Sequence, residues 1–280
     1  MDMLTAYLKR VVDTLSLGLN TILNRGPDRL LFLVVRYLSW KLQFQNRVSD
    51  LPPRANLFIT SLTIAWLKGT IRLFRLAVPH KYTDTDPYRI LFVDPSEITY
   101  VSGLHDKKRR GWVIGGDWDR DLGTFEDQPI PKAIEQHYVE GKEWEETVLS
   151  EEFDNRQQFE RECERIERLH QQIVDHGFRS QRDLLGSNPA AAWSGVNATL
   201  SPITNEITID IGRDGELLWN MLGRHRLAIA KVSDVDRVPV LLFSRHREWQ
   251  MIRDEPSSNR ELPEEHRDHP NLRRSDNNQY

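Results

Sequence analysis

Leu222–Lys231 reads LGRHRLAIAK, and this stretch decides the fold. Gly223 stands before Leu227, Ala228, Ile229 and Ala230, the apolar residues of a short helix that the pattern predicts through Lys231. A glycine at a helix start lets backbone N–H groups approach an anion closely, and the helix N-terminus adds a favourable partial charge. Arg226 can fork onto phosphate oxygens, and His225 can donate to them. The same residues also fit a plain helix cap with exposed bases, so the turn alone leaves both readings open.

The neighbouring segments give the turn a sheet. Upstream, Glu206–Ile211 alternates as E-I-T-I-D-I, the period of a half-buried strand, and Asp214-Gly215 turns it into a second strand at Glu216–Trp219. Downstream, VPVLLF at 238–243 is a buried strand, followed by a terminal turn or helix over 244–253. Further upstream, Gln157–His176 carries Phe159, Cys163, Ile166, Leu169 and Ile173 at helical spacing on a charged rod, with Gly177 as its stop. YRILFV at 88–93, closed by Asp94-Pro95, is another buried strand, and Ile98–Val101 reads as a short strand after it. Between them, 128–149 predicts a short helix, a stop at Gly141 and a second short element. The class is therefore mixed, α/β in the α+β sense.

Residues 1–82 differ in texture. They carry 12 Lys and Arg against 4 Asp, a charge of +8, while the rest of the 280-residue chain carries −12. Asp28–Val48 and Ala55–Leu67 are apolar helical stretches, separated by Pro52-Pro53 and each short of the roughly 20 apolar residues a membrane span needs. A helical hairpin packed on the main domain or on another subunit, making a homo-oligomer or a partner-protein contact, is one placement. A basic face lying peripherally on a membrane is another. The acidic back part lacks the clustered positive charge of a duplex footprint, so DNA is not an expected partner. Met1–Asp13 lacks a basic region followed by a clean apolar core, predicting no signal peptide and a cytoplasmic protein. The single cysteine, Cys163, excludes an internal disulfide. Residues 254–280, polar and nearly without apolar side chains, read as a disordered tail.

The order of these pieces resembles the ParB/sulfiredoxin superfamily, over roughly residues 88–252. The segments that carry the resemblance are LFVDPSEI (91–98), IERLHQQIVDHGF (166–178), ITIDIGRDGELLW (207–219), LGRHRLAIAK (222–231) and DRVPVLLF (236–243). The chain looks closest to proteins described as carrying a ParB-like nuclease domain. The resemblance implies a small mixed sheet with flanking helices over 83–253, an inserted segment at about 103–156, and nucleotide handling. Partitioning proteins bind and hydrolyse CTP at the matching turn, and sulfiredoxins bind ATP there. Carried over by position, Gly223, Arg224, His225 and Arg226 would be the phosphate-binding residues, with His225 also near the chemistry. Arg224 stands where sulfiredoxins keep a reactive cysteine, which removes that redox chemistry. Leu222 stands where related sequences commonly have an acidic residue.

An NTP hydrolase, or a phosphotransferase acting on a small acceptor, would need Mg²⁺ with its nucleoside triphosphate. Asp117, Asp119 and Asp121 alternate in DWDRD and are the candidate metal ligands, with Asp117 and Asp119 as candidate catalytic bases. The bland alternative is a solvated loop in which Arg120 pairs locally. Glu97 is a weaker candidate base. Opposed to the enzyme stands a catalytically inactive binding module, attached to a membrane or partner through residues 1–82. A nuclease is a weaker alternative, since no paired-carboxylate-plus-lysine cluster stands at a specific spacing. KKRR at 107–110 reads as a solvated loop, and His246 as a capping or pairing residue at the sheet edge.

Overall fold

β4 (Ile207–Ile211) and β5 (Leu217–Trp219) form the antiparallel hairpin that leads into the Gly223 turn. The computed structural model describes residues 20, 22–44, 53–84, 86, 88–104, 110–181, 183–184, 206–254 and 269–272. Its other strands are β1 (Ile90–Val93), β2 (Tyr100–Val101), β3 (Trp112–Ile114) and β6 (Val238–His246). The sheet order is β1-β6-β4-β5-β2, with β3 on the far end of β6. Pairing is antiparallel for β1/β6 and β4/β5 and parallel for β4/β6, β2/β5 and β3/β6. The sheet is mixed, as expected.

Every residue of β4 is buried, including Thr208 and Asp210, although its alternating pattern predicts a strand with one wet face. Burial is tolerable because both polar side chains are satisfied. Asp210 accepts from Ser102 Oγ at 2.6 Å, Asn220 Nδ2 at 2.6 Å and the Ser244 amide at 2.8 Å. Thr208 Oγ1 donates to the Asn220 carbonyl and accepts from the Leu222 amide.

The helices are α1 (Pro27–Phe44), α2 (Pro53–Ala77), α3 (Pro129–Tyr138), α4 (Arg156–His176), α5 (Arg224–Val232) and α6 (Arg247–Asp254). In α4 the predicted stripe is the packed one: Phe159, Cys163, Ile166 and Ile173 are buried and Leu169 is partly covered. Asn155 caps this helix by accepting from the Gln157 and Gln158 amides, and Gly177 ends it at φ 72°. The main core joins β1, β4, β5 and β6 to α3, α4 and α5.

The front helices pack on this domain. Phe32 of α1 and Ile71 of α2 meet Tyr82 and Trp112 in a second cluster. Arg29, 5% exposed, stacks on Trp112 and donates to the Val113 carbonyl. Among the described residues no helix is long and apolar enough to cross a membrane.

Two expectations change. His269–Leu272, within the predicted disordered tail, is packed: Asn271 is 5% exposed and accepts from Trp249 Nε1 and Arg245 Nε. Residues 255–268 and 273–280 lie outside the described residues. In KKRR, Arg110 is not solvated. It is buried between the Tyr88 and Phe243 rings, while 107–109 lie outside the described residues.

Candidate functional site

The chain leaves β5 through Asn220 and Met221 and enters α5 at Gly223. This turn is pinned to β4: the Leu222 carbonyl accepts from Trp219 Nε1 at 2.9 Å, and the Asn220 amide donates to the Thr208 carbonyl at 2.8 Å. Gly223 is left-handed at φ 76°, and a Cβ there would lie 2.7 Å from Ile207 Cα. Only glycine fits that approach. The α5 N-terminus has no side-chain cap, so no side chain of the cap residue competes for its first amides.

The three residues after Gly223 have separate environments. His225 Nε2 lies 2.6 Å from Glu162 Oε1 on α4. Burial holds the imidazole below its ordinary pKa and outweighs the upward pull of Glu162, and against a carboxylate oxygen it is Nε2 that donates. Glu162 is pulled down to about 2, first by the His225 hydrogen bond, and Arg165 adds to the effect against burial. Arg226 points into the protein. Its Nη1 lies 2.8 Å from Glu206 Oε2, its Nη2 donates to the Arg179 carbonyl at 2.5 Å, and its guanidinium sits over the Phe178 ring. Burial pushes the Glu206 carboxyl upward against the pull of Arg226.

Arg224 is the residue left over. Among the described residues it makes no hydrogen bond or ion pair, yet it is half-buried, and desolvation lowers its pKa. Its electrostatic neighbours are Glu162, Glu152 and Arg165. Sequence reading placed Gly223, Arg224, His225 and Arg226 together, and they are together. It gave all four to phosphate binding, with His225 and Arg226 as the grip; in the structure those two bind carboxylates of the protein itself, and Arg224 is the cation without an ion pair among the described residues.

The aspartate loop is tied to the β4–β5 hairpin and not to the turn. Asp119 accepts from the Arg213 amide at 2.7 Å and from its Nη2 at 2.8 Å, and Asp117 accepts from the same Nη2 at 2.8 Å. Burial raises Asp119, but the Arg213 hydrogen bonds outweigh it and leave the carboxyl below its ordinary value. The pairing cation is thus Arg213, not Arg120, because the hairpin tip folds back over the loop. Asp121 lies beyond them at φ 50°. No group of three or more metal-binding side chains occurs among the described residues. With both Asp119 oxygens on Arg213, this loop does not fit a Mg²⁺ ion.

Glu97 is exposed beside Asp94, and burial of part of the group and the Asp94 charge raise its pKa. His246 is buried, donating to the Gly116 carbonyl at 2.8 Å and accepting from the Glu248 amide, a pairing role at the end of β6.

A cavity of about 670 Å³ opens along the other end of α5, lined by Asp94, Glu126, Lys231, Asp234 and Asp236 among others. None of the Gly223–Arg226 residues lines it, and its carboxylates oppose a phosphate. The chain matches no family model, no curated protein and no solved structure.

Proposed function

We propose that this protein binds a phosphate-bearing ligand, a nucleotide by class, at the N-terminus of α5, without turning it over through the 117–121 loop. The observation that carries the reading is Arg224, a partly buried guanidinium that makes no hydrogen bond or ion pair among the described residues, at an uncapped helix start. A half-buried unpaired charge is costly, and an anion seated against it and the first α5 amides would relieve that cost. Arg165 and His225 flank the same place through Glu162. The resemblance to ParB and sulfiredoxin proteins assigns nucleotide phosphates to this turn. Mg²⁺ enters only as the ion that nucleotide phosphates carry with them.

Binding without turnover follows from the carboxylates. Hydrolysis or phosphoryl transfer needs a base near the attacking oxygen. The fold brings two carboxylates to the turn: Glu162, with a pKa of about 2, is a poor proton acceptor at neutral pH, and Glu206 is fully buried and held by Arg226, away from any attacking oxygen. Leu222 supplies no acidic group beside Gly223.

The test is a thermal-shift series with ATP, CTP, GTP and inorganic triphosphate, each with Mg²⁺. A ligand at one hundred times its Kd stabilises by about 2.7 kcal/mol. The expected result is stabilisation by at least one nucleotide, absent in Arg224→Ala, with no phosphate release. No shift with any of them overturns the proposal, and release of phosphate overturns its non-catalytic half.

A further inference from the structure

The side of α2 that faces away from the domain is its apolar side. Phe58, Leu62, Trp66, Leu73 and Leu76 are 65, 57, 60, 68 and 82% exposed. Steps of four, four, seven and three residues set them on one face of the helix. Ser61, Ala65 and Ala77 are exposed with them, and Gly69 opens on empty space. The opposite side, with Leu67 and Ile71, is already buried on the domain. The helix therefore has apolar residues on two opposite faces, of which only one is covered. Such helices are covered on both sides, and an exposed apolar strip of this kind marks a binding surface.

Charge decides what covers it. From Pro53 to Lys81 the chain has Arg54, Lys68, Arg72, Arg75 and Lys81 and no acidic residue. Lys68 and Arg75 are held by Asp86 and Asp254 of the main domain. Arg72 is exposed on the apolar strip itself and, among the described residues, forms no ion pair. Among the described residues the acidic domain of a second copy offers no matching strip, since its exposed Phe92, Tyr100, Val139, Val174, Met221 and Met251 lie on separate segments, and α2 laid against a second α2 would set two basic, acid-free helices together. A bilayer surface needs no matching shape. Its acyl boundary takes leucine and phenylalanine, its headgroup level takes tryptophan, and anionic headgroups take an unpaired arginine.

We propose that α2 lies in the plane of an anionic membrane surface, with Phe58, Leu62, Trp66, Leu73 and Leu76 at the acyl boundary and Arg72 on headgroup phosphates. The strip from Phe58 to Leu76 runs about 27 Å along the helix axis. This reading is independent of the α5 site: it uses no residue of that turn.

The experiment is flotation of the full chain with vesicles of phosphatidylglycerol and phosphatidylcholine, against vesicles of phosphatidylcholine alone. Near-UV circular dichroism checks the fold of each variant. The wild-type chain should float with the anionic vesicles, and raised salt should release it. Leu62→Glu with Leu73→Glu should lower partition more than tenfold, and Arg72→Ala by about fivefold. Absence of flotation, equal partition of the double variant, or salt-independent binding to both vesicle types overturns the proposal. So does a concentration-dependent dimer in sedimentation velocity that the double variant dissolves, which would assign the strip to a second copy. If the double variant loses its fold, Arg72→Ala and the salt dependence of the wild-type chain decide.

Discussion

Arg226 Nη1 and Glu206 Oε2 stand 2.8 Å apart with the Glu206 side chain fully buried and the Arg226 side chain 10% exposed. The pair ties the first turn of α5 to the start of β4, and the Gln181 amide donates to the same glutamate. Breaking one partner of a buried pair leaves an uncompensated charge, at about 3–5 kcal/mol. Glu206→Gln or Arg226→Met alone should therefore lower the urea midpoint strongly. Glu206→Leu combined with Arg226→Met removes both charges and should recover most of the loss. A double variant as unstable as the sum of the singles would refute the pairing as the source of the cost.

Acid should loosen the α4–α5 contact in a defined order. Burial keeps His225 below its ordinary value of 6.5, so the unfolded chain takes up a proton below that pH which the folded chain resists. Stability from this group is present above the unfolded pKa and is lost as pH falls through it. Glu162 is lowered from 4.5 to about 2, so its contribution is present above 4.5 and drains away between 4.5 and about 2. The Glu162 part is on the order of 3 kcal/mol. His225→Gln should remove the upper step and shrink the lower one, because the hydrogen bond that depresses Glu162 weakens. Urea midpoints measured from neutral to acid pH test this. A profile that stays level below pH 6 contradicts it.

Gly223 and Arg224 are adjacent but should fail in different ways. At Gly223 a methyl group would press on Ile207 backbone atoms at 2.7 and 3.0 Å, at a φ that other residues reach only with strain. Gly223→Ala should cost at least 1–3 kcal/mol, roughly the strain alone, and should lower the melting temperature with no ligand present. Arg224→Ala removes a charge that makes no ion pair among the described residues, so the apo melting temperature should stay the same or rise, while the nucleotide-induced shift disappears. If Arg224→Ala destabilises the apo protein as much as Gly223→Ala does, the guanidinium is holding the fold and not waiting for an anion.

How far the sequence speaks depends on whether a feature is local. Asp214-Gly215 and the alternation from Glu206 are local signals, and the β4–β5 hairpin stands where they put it. The α4 stripe and the Gly223 helix start are local too. β3 was not legible: three residues, Trp112–Ile114, become a strand only because β6 runs on to His246 and offers Ser244–His246 as partners. The site divides in the same way. Gly-Arg-His-Arg could be read as a turn with bases, but which base is free depends on Glu162, Glu206 and Arg179, which lie 63, 20 and 47 residues away. No periodicity encodes those distances. The ordering of Asn271 escaped for that reason as well, since its partners Arg245 and Trp249 are buried side chains of β6 and α6, 26 and 22 residues away, that a polar tail sequence does not announce.

Arg213 gives the aspartate loop a structural role that can be separated from a metal role. Its side chain and amide reach Asp119 across 94 residues, and the Asp119 side chain is 2% exposed. Asp119→Ala should then cost about 1–3 kcal/mol, because the Arg213 amide loses its acceptor. Asp117 is 80% exposed and shares only one Arg213 nitrogen, so Asp117→Ala should cost far less. A Mg²⁺ site built from these carboxylates predicts otherwise: both substitutions would abolish a Mg²⁺-dependent rise in melting temperature. The arginine clamp predicts no such rise in the wild-type chain without nucleotide. It also predicts that Arg213→Ala, which frees both carboxylates while lowering stability, is the variant in which a response to Mg²⁺ first emerges. Melting curves of the four proteins with and without Mg²⁺ decide between the two, and a wild-type response lost in Asp119→Ala would restore the metal.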